Sequence, residues 1–167
     1  MIGKDDLLAL LESRDIPFTC EHHDAVFTMD ESSRLGLTVQ GAHCKNLLLK
    51  DKDGQIFHVM TLASKSLDLT GVASALGSKR LSFASAELLF ELLGVRPGSL
   101  SPLALINDDA HRVRLVIDEE LAGESVFLMH PLENTATLSI SRDDLEGFVM
   151  STGHAPSWVG LAERQAS

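Results

Sequence analysis

Cysteine is scarce in this 167-residue chain. Cys20 and Cys44 are the only two, and they form neither a CxxC pair nor a metal-ligand series. Both read as free thiols of a reducing compartment rather than as a disulfide framework. Basic residues are also few: 14 Lys and Arg stand against 24 Asp and Glu, a formal charge of −10 at pH 7. A field of that sign does not grip polyanions as a whole, which argues against a sequence-reading DNA-binding domain. It still permits a small basic patch touching one end of a nucleic acid. No apolar run approaches the ~20 residues of a membrane-spanning helix, and the first six residues lack the basic start and apolar stretch of a signal peptide. A cytoplasmic address is expected. The chain carries no GxxxxGK[ST], GxGxxG or HExxH motif, no repeat and no low-complexity tract. Its seven His are scattered, with His22-His23 the one adjacent pair, and neighbours on a strand face opposite sides. No metal and no cofactor is expected.

What is present suits one domain over residues 1–167, because 44% of the residues are hydrophobic, enough for a core. Residues 4–15 read as a helix with a leucine face and acidic residues at its start. Residues 18–22 read as a strand. Thr28 and Glu31 have capping-box spacing for a short helix to about Leu35. Residues 46–50 and 55–60 flank Asp51-Lys52-Asp53-Gly54 as a hairpin. Helices are predicted over 66–76 and 85–93, strands over 112–118, 125–130 and 135–140, and a last helix from Ser141 to near Gly153. The tail after Trp158 is expected to fray. The pattern predicts an α+β domain, a largely antiparallel mixed sheet with helices packed on it.

Two segments stand out chemically. Lys45 sits at the entrance of the apolar strand 46–50, next to Asn46, whose amide both donates and accepts. There a lysine either snorkels to water or supplies a fixed positive charge for a polar, anionic substrate. The second segment is Gly98-Ser99-Leu100-Ser101-Pro102. Gly98 opens backbone conformations closed to other residues and Pro102 fixes the exit. Such a loop is either an ordinary turn or a set of N–H groups converging on an anion or oxyanion.

Taken together, Cys44-Lys45-Asn46-Leu47 with Leu49-Lys50-Asp51, and Gly94-Val95-Arg96-Pro97-Gly98-Ser99-Leu100-Ser101-Pro102 with Asn107-Asp108, resemble the YbaK/ProX family. These are aminoacyl-tRNA editing domains related to the insertion domain of bacterial prolyl-tRNA synthetase. The resemblance runs over residues 5–153 and is greatest to the free-standing ProX-type branch. It implies a curved, mostly antiparallel sheet flanked by helices. It also implies hydrolysis of the ester joining an amino acid, alanine in the first instance, to the terminal adenosine of proline tRNA. Cysteine as the edited group, or a non-catalytic module binding the tRNA end, are the alternatives.

The resemblance assigns the positions as follows. Lys45 matches the family lysine, and Gly98 to Pro102 match its GxxxP substrate loop, with Gly98 and Ser99 as catalytic donors and Leu100, Ser101 and Pro102 against the substrate. His130, Phe27 and Met29 would line the amino-acid pocket, with Asn46 beside the lysine. Arg80 would contact the tRNA end, and Lys45, Lys50, Lys52, Lys79 and Arg80 are the candidates for a basic patch there. The implied partners are the acceptor end of tRNA(Pro), with prolyl-tRNA synthetase or elongation factor as a helper. A monomer is expected.

Overall fold

A computed structural model describes residues 1–25 and 39–165. Helix α1 (Lys4–Ser13) carries Asp5 and Asp6 in its first turn and buries Leu7 and Leu11, one helical turn apart. It is followed by β1 (Thr19–His22), β2 (Ala42–Asp51) and β3 (Ile56–Leu62). Helix α2 (Leu69–Leu76) starts where the Asp68 side chain accepts from Thr70 N–H, and stops at Gly77 in the left-handed region. After β4 (Leu81–Phe83), helix α3 (Ala86–Leu93) is capped by Ser85 Oγ, which accepts from Leu88 N–H at 3.1 Å. A 3-10 helix (Pro102–Asn107), β5 (Val113–Asp118), β6 (Val126–Met129) and β7 (Ala136–Ser141) lead to α4 (Arg142–Ser151), then to β8 (Ser157–Val159).

Eight strands form one sheet in the order β1-β7-β6-β2-β3-β5-β8, with β4 also on β2. Pairs β1/β7, β7/β6, β2/β3 and β2/β4 are antiparallel; β2/β6, β3/β5 and β5/β8 are parallel. This is the mixed, mostly antiparallel sheet expected from the sequence. Its main core covers one face, where Leu48, Met60, Leu115, Phe127 and Leu138 meet α1, α3, α4 and the 3-10 helix. A smaller core lies on the other face, where Leu49, Phe57, Val59 and Val116 pack with Val72 of α2. The remainder of that second face, over β6, β7 and β1, belongs to neither core.

Several expectations on the edges change. Strands β4 and β8 and the 3-10 helix carry too few residues for a readable period. The tail does not fray after Trp158: Val159 pairs with Asp118, Leu161 is buried, and Arg164 N–H donates to Ser66 O. The predicted short helix from Thr28 to Leu35 lies outside the described residues. Cys20 and Cys44 are both free, and no described helix is long and apolar enough to cross a membrane.

Candidate active site

Strand β2 is where the sheet opens. One of its edges is taken by β3 along Cys44 to Lys50. Its other edge is held by β6 at Ala42 and His43 and by β4 at Leu49 to Asp51, with Ala84 N–H reaching Leu48 O. Between these contacts the edge from Cys44 to Leu47 has no partner strand among the described residues. Lys45 and Asn46 occupy that opening.

Register decides which side chains share a face. Ala42 pairs with Phe127 and His43 with Leu128, and Phe127 points into the main core. The alternation then turns Leu128 and His43 to the opposite face, and two residues further along are Lys45, still on β2, and His130, the first residue beyond the end of β6. Both stand on the face away from the main core, just past the last paired residues of two diverging parallel strands. The Lys45 ammonium has no ion pair or hydrogen bond among the described residues, and burial lowers its pKa.

The imidazole of His130 is fixed from behind. Its Nδ1–H donates to Ala136 O at 2.8 Å, so Nε2 is left as an acceptor. Burial lowers its pKa, and nearby His23 adds to this, while the Ala136 bond opposes. The neutral form is therefore favoured. His23 meets it edge-on at 6.2 Å. The His23 ring donates from Nδ1 to Asp24 O (2.7 Å), and Nε2 accepts from the Thr137 hydroxyl (2.8 Å). The turn leaving His130 holds Leu132 at φ 71, a region a branched side chain adopts only under constraint; burial of that side chain supplies it.

Asn46 is oriented by a residue the sequence reading did not single out. His58 on β3 is 0% exposed and its Nε2 lies 2.9 Å from Asn46 Oδ1. Burial, with the charge of His154, pushes its pKa down to about 3. A neutral ring has one N–H, and giving it to Oδ1 leaves the NH₂ of the half-buried Asn46 as a donor on the face of β2 opposite Lys45. The His58 Nδ1 has no partner. No sequence signal marks His58, a lone histidine within an apolar strand. His23 and Thr137 become visible only once the strands are paired.

The loop 94–102 follows from its own residues. Gly94 ends α3 at φ 68. Arg96-Pro97-Gly98-Ser99 closes a turn in which Ser99 N–H donates to Arg96 O at 3.0 Å and Gly98 has φ 89, the conformation a type II turn needs at its third position. The expected catalytic donor at Ser99 is thus already engaged. The N–H groups of Gly98, Leu100 and Ser101 have no acceptor among the described residues, and Leu100 and Ser101 are buried. Ser101 Oγ is likewise buried without a partner. An orphaned buried polar group costs about 1–3 kcal/mol, which makes Ser101 Oγ, with the neighbouring amides, a candidate contact for the polar atoms of another molecule. Pro102 begins the 3-10 helix, and Leu100 anchors the loop in the main core.

The remaining expected residues fall elsewhere. Arg80 is exposed at the entry to β4. Phe27 and Met29 lie outside the described residues. Asn107 and Asp108 build scaffold: Asn107 bonds Ile2 N and O and Leu93 O, and Asp108 accepts from Arg112 N–H, Val113 N–H and His154. Burial pushes the Cys44 thiol up to about 12, with Glu124 adding to it, so it is no nucleophile at neutral pH.

Among the described residues, the mixed sheet is open along part of one strand, where a lysine has no ion pair, and a separate loop carries backbone amides without acceptors. The chain belongs to the aminoacyl-tRNA editing domain family, whose model matches residues 23–148. It is 34% identical over 156 residues to the prolyl-tRNA editing protein ProX of Acetoanaerobium sticklandii, covering 92% of this chain and 94% of that one. It is 36% identical over 155 residues to the prolyl-tRNA synthetase associated domain-containing protein 1 of Danio rerio, covering 92% and 84%. The fold matches a crystal structure of a candidate trans-editing enzyme for prolyl tRNA synthetase with a TM-score of 0.70 at 18% identity, over 96% and 98% of the chains.

Proposed function

We propose that the chain is a trans-editing deacylase that hydrolyses alanyl-tRNA(Pro) and spares prolyl-tRNA(Pro). The observation that carries this reading is the juxtaposition of Lys45, without an ion pair among the described residues, and a neutral His130 on one face of the opened sheet. Lys45 holds the aminoacyl-adenosine through an electron-rich oxygen from one side of β2, and the Asn46 NH₂ offers a donor from the other side of the same edge. Water attacks the ester carbonyl carbon, its proton passing toward the ribose hydroxyl of the substrate. The carbonyl oxygen takes up negative charge, and the free N–H groups of Gly98, Leu100 and Ser101 are the donors for it; one such donor is worth about 3 kcal/mol. The ester C–O bond then breaks and the ribose oxygen leaves with a proton, releasing alanine and tRNA.

Selectivity follows from size. A synthetase pocket shaped for proline rejects a smaller side chain weakly, since missing methylenes are worth only about 1–3 kcal/mol. A second, smaller pocket reverses the test, admitting alanine and meeting proline with a wall. His130 belongs to that wall; the resemblance adds Phe27 and Met29, which lie outside the described residues. The acceptor end of tRNA(Pro) is the partner, prolyl-tRNA synthetase or elongation factor presents it, and a cytoplasmic monomer acts.

The test is release of amino acid from alanyl-, cysteinyl- and prolyl-tRNA(Pro) by the wild-type chain. Fast release of alanine alone is expected. Equal rates on all three contradict the size argument, and fast release of cysteine alone reassigns the edited group.

A further inference from the structure

Phe83 is 63% exposed, an unusual place for a large aromatic side chain in a protein with a full apolar core. It closes β4 and pairs with Leu49 of β2. Leu49 and Lys45 alternate onto the same face, so the ring and the ammonium look out on one side of the sheet, four residues or about 13 Å apart along the strand. Between them runs the edge of β2 that has no partner strand among the described residues. Phe83 therefore stands at the far end of the opening from His130.

The surroundings are cationic, against the charge of the whole molecule. Lys50, opposite Ser82, and Lys52, Lys79 and Arg80 are exposed and form no ion pair among the described residues. A buried carboxylate builds this patch. Asp51 accepts from the backbone N–H groups of Asp53, Gln55 and Lys79 and from the Gln55 amide, which ties the β2–β3 turn to the segment entering β4. Lys50 faces the other side of the ladder from Phe83, so cations and ring border the same short edge strand from two sides.

An exposed aromatic ring bordered by lysine and arginine suits single-stranded nucleic acid, whose bases stack while its phosphates meet the cations. We propose that Phe83 is a stacking platform for an unpaired base of the RNA 3′ end, one step inward from the terminal ester held at Lys45. The proposal rests on the deacylase reading and deepens it by assigning a nucleotide subsite.

The experiment uses the full chain, Phe83→Ala and Phe83→Trp. Each is titrated by fluorescence anisotropy with an RNA hairpin bearing a single-stranded 3′ overhang and with the same hairpin made blunt. Phe83→Ala is expected to weaken overhang binding about 5- to 100-fold and to leave blunt-hairpin binding unchanged, with Phe83→Trp holding wild-type affinity. In deacylation, Phe83→Ala raises KM for alanyl-tRNA at constant kcat and leaves hydrolysis of alanyl-adenosine, which has no neighbouring nucleotide, unaltered. Wild-type overhang binding by Phe83→Ala, or equal loss on both hairpins, overturns the proposal. Phe83-dependent binding by a chain that hydrolyses no ester supports the platform and removes the deacylase reading; hydrolysis indifferent to Phe83 does the reverse.

Discussion

Under the deacylase proposal, the bond between His58 and Asn46 gives a buried residue a role in a reaction it does not touch. Its donor fixes which end of the Asn46 amide is free, which makes His58 the proposed positioning residue. His58→Leu is expected to lower kcat on alanyl-tRNA about 3- to 10-fold, the worth of one hydrogen bond. His58→Gln, which still presents a donor, restores part of the loss. In an Asn46→Ala background the His58 change has no further effect on kcat, and a full additional loss there removes the positioning role. The neighbouring thiol gives a contrasting case. With its pKa near 12, Cys44 takes no part as a nucleophile, and Cys44→Ala retains full deacylation in the same assay. His130→Ala enlarges the pocket, and prolyl-tRNA is then expected to be hydrolysed; continued protection of proline takes His130 out of the wall.

At the level of elements, the turn 96–99 sets the direction of the amides that the proposal assigns to the oxyanion. Gly98 at φ 89 is the position where a Cβ is strained, by about 1–2 kcal/mol in the left-handed region. Gly98→Ala is expected to lower kcat while the melting temperature moves by only a few degrees; unchanged kcat would separate the loop from the chemistry. Much of this layer was readable beforehand. Ser85 and Gly94 bracket α3, Ser141 starts α4, and Asp51 to Gly54 reverse the β2–β3 hairpin, because each is a local signal with a local cause. Strands β4 and β8 were not legible, since three residues on a sheet edge are placed by their partners and have no pattern of their own. For the candidate site, Lys45 was singled out at the entrance of a strand expected from residue 46, whereas β2 begins at Ala42 and Lys45 lies inside it. Its relation to His130 depends on the parallel pairing of β2 with β6, a long-range fact that spacing does not hold. The free N–H groups of Leu100 and Ser101 likewise depend on which turn bond forms.

For the molecule as a whole, charge and burial set two measurable trends. The four cations around β4 limit the phosphate contacts, so the slope of log affinity for single-stranded RNA against log salt should be no steeper than about −3; a much steeper slope implies a second basic surface. The buried His58 makes stability depend on pH. Its folded pKa of about 3 lies below the ordinary 6.5, so between these values the unfolded chain binds the extra proton. Stability from this residue is complete above about 6.5 and is lost as pH falls toward 3, by at most about 1.4 kcal/mol per pH unit. Urea unfolding between pH 4.5 and 6.5 (roughly the range where carboxylates stay mostly ionised) is expected to show a steeper decline for the wild type than for His58→Gln; parallel curves contradict a neutral buried ring.

The central claim concerns one cation at the gap in β2. Single-turnover release of alanine from alanyl-tRNA(Pro), compared between the wild type and Lys45→Ala at equal tRNA occupancy, tests it most directly. A loss of about 100-fold or more in the variant is expected, and a rate equal to the wild type contradicts the account.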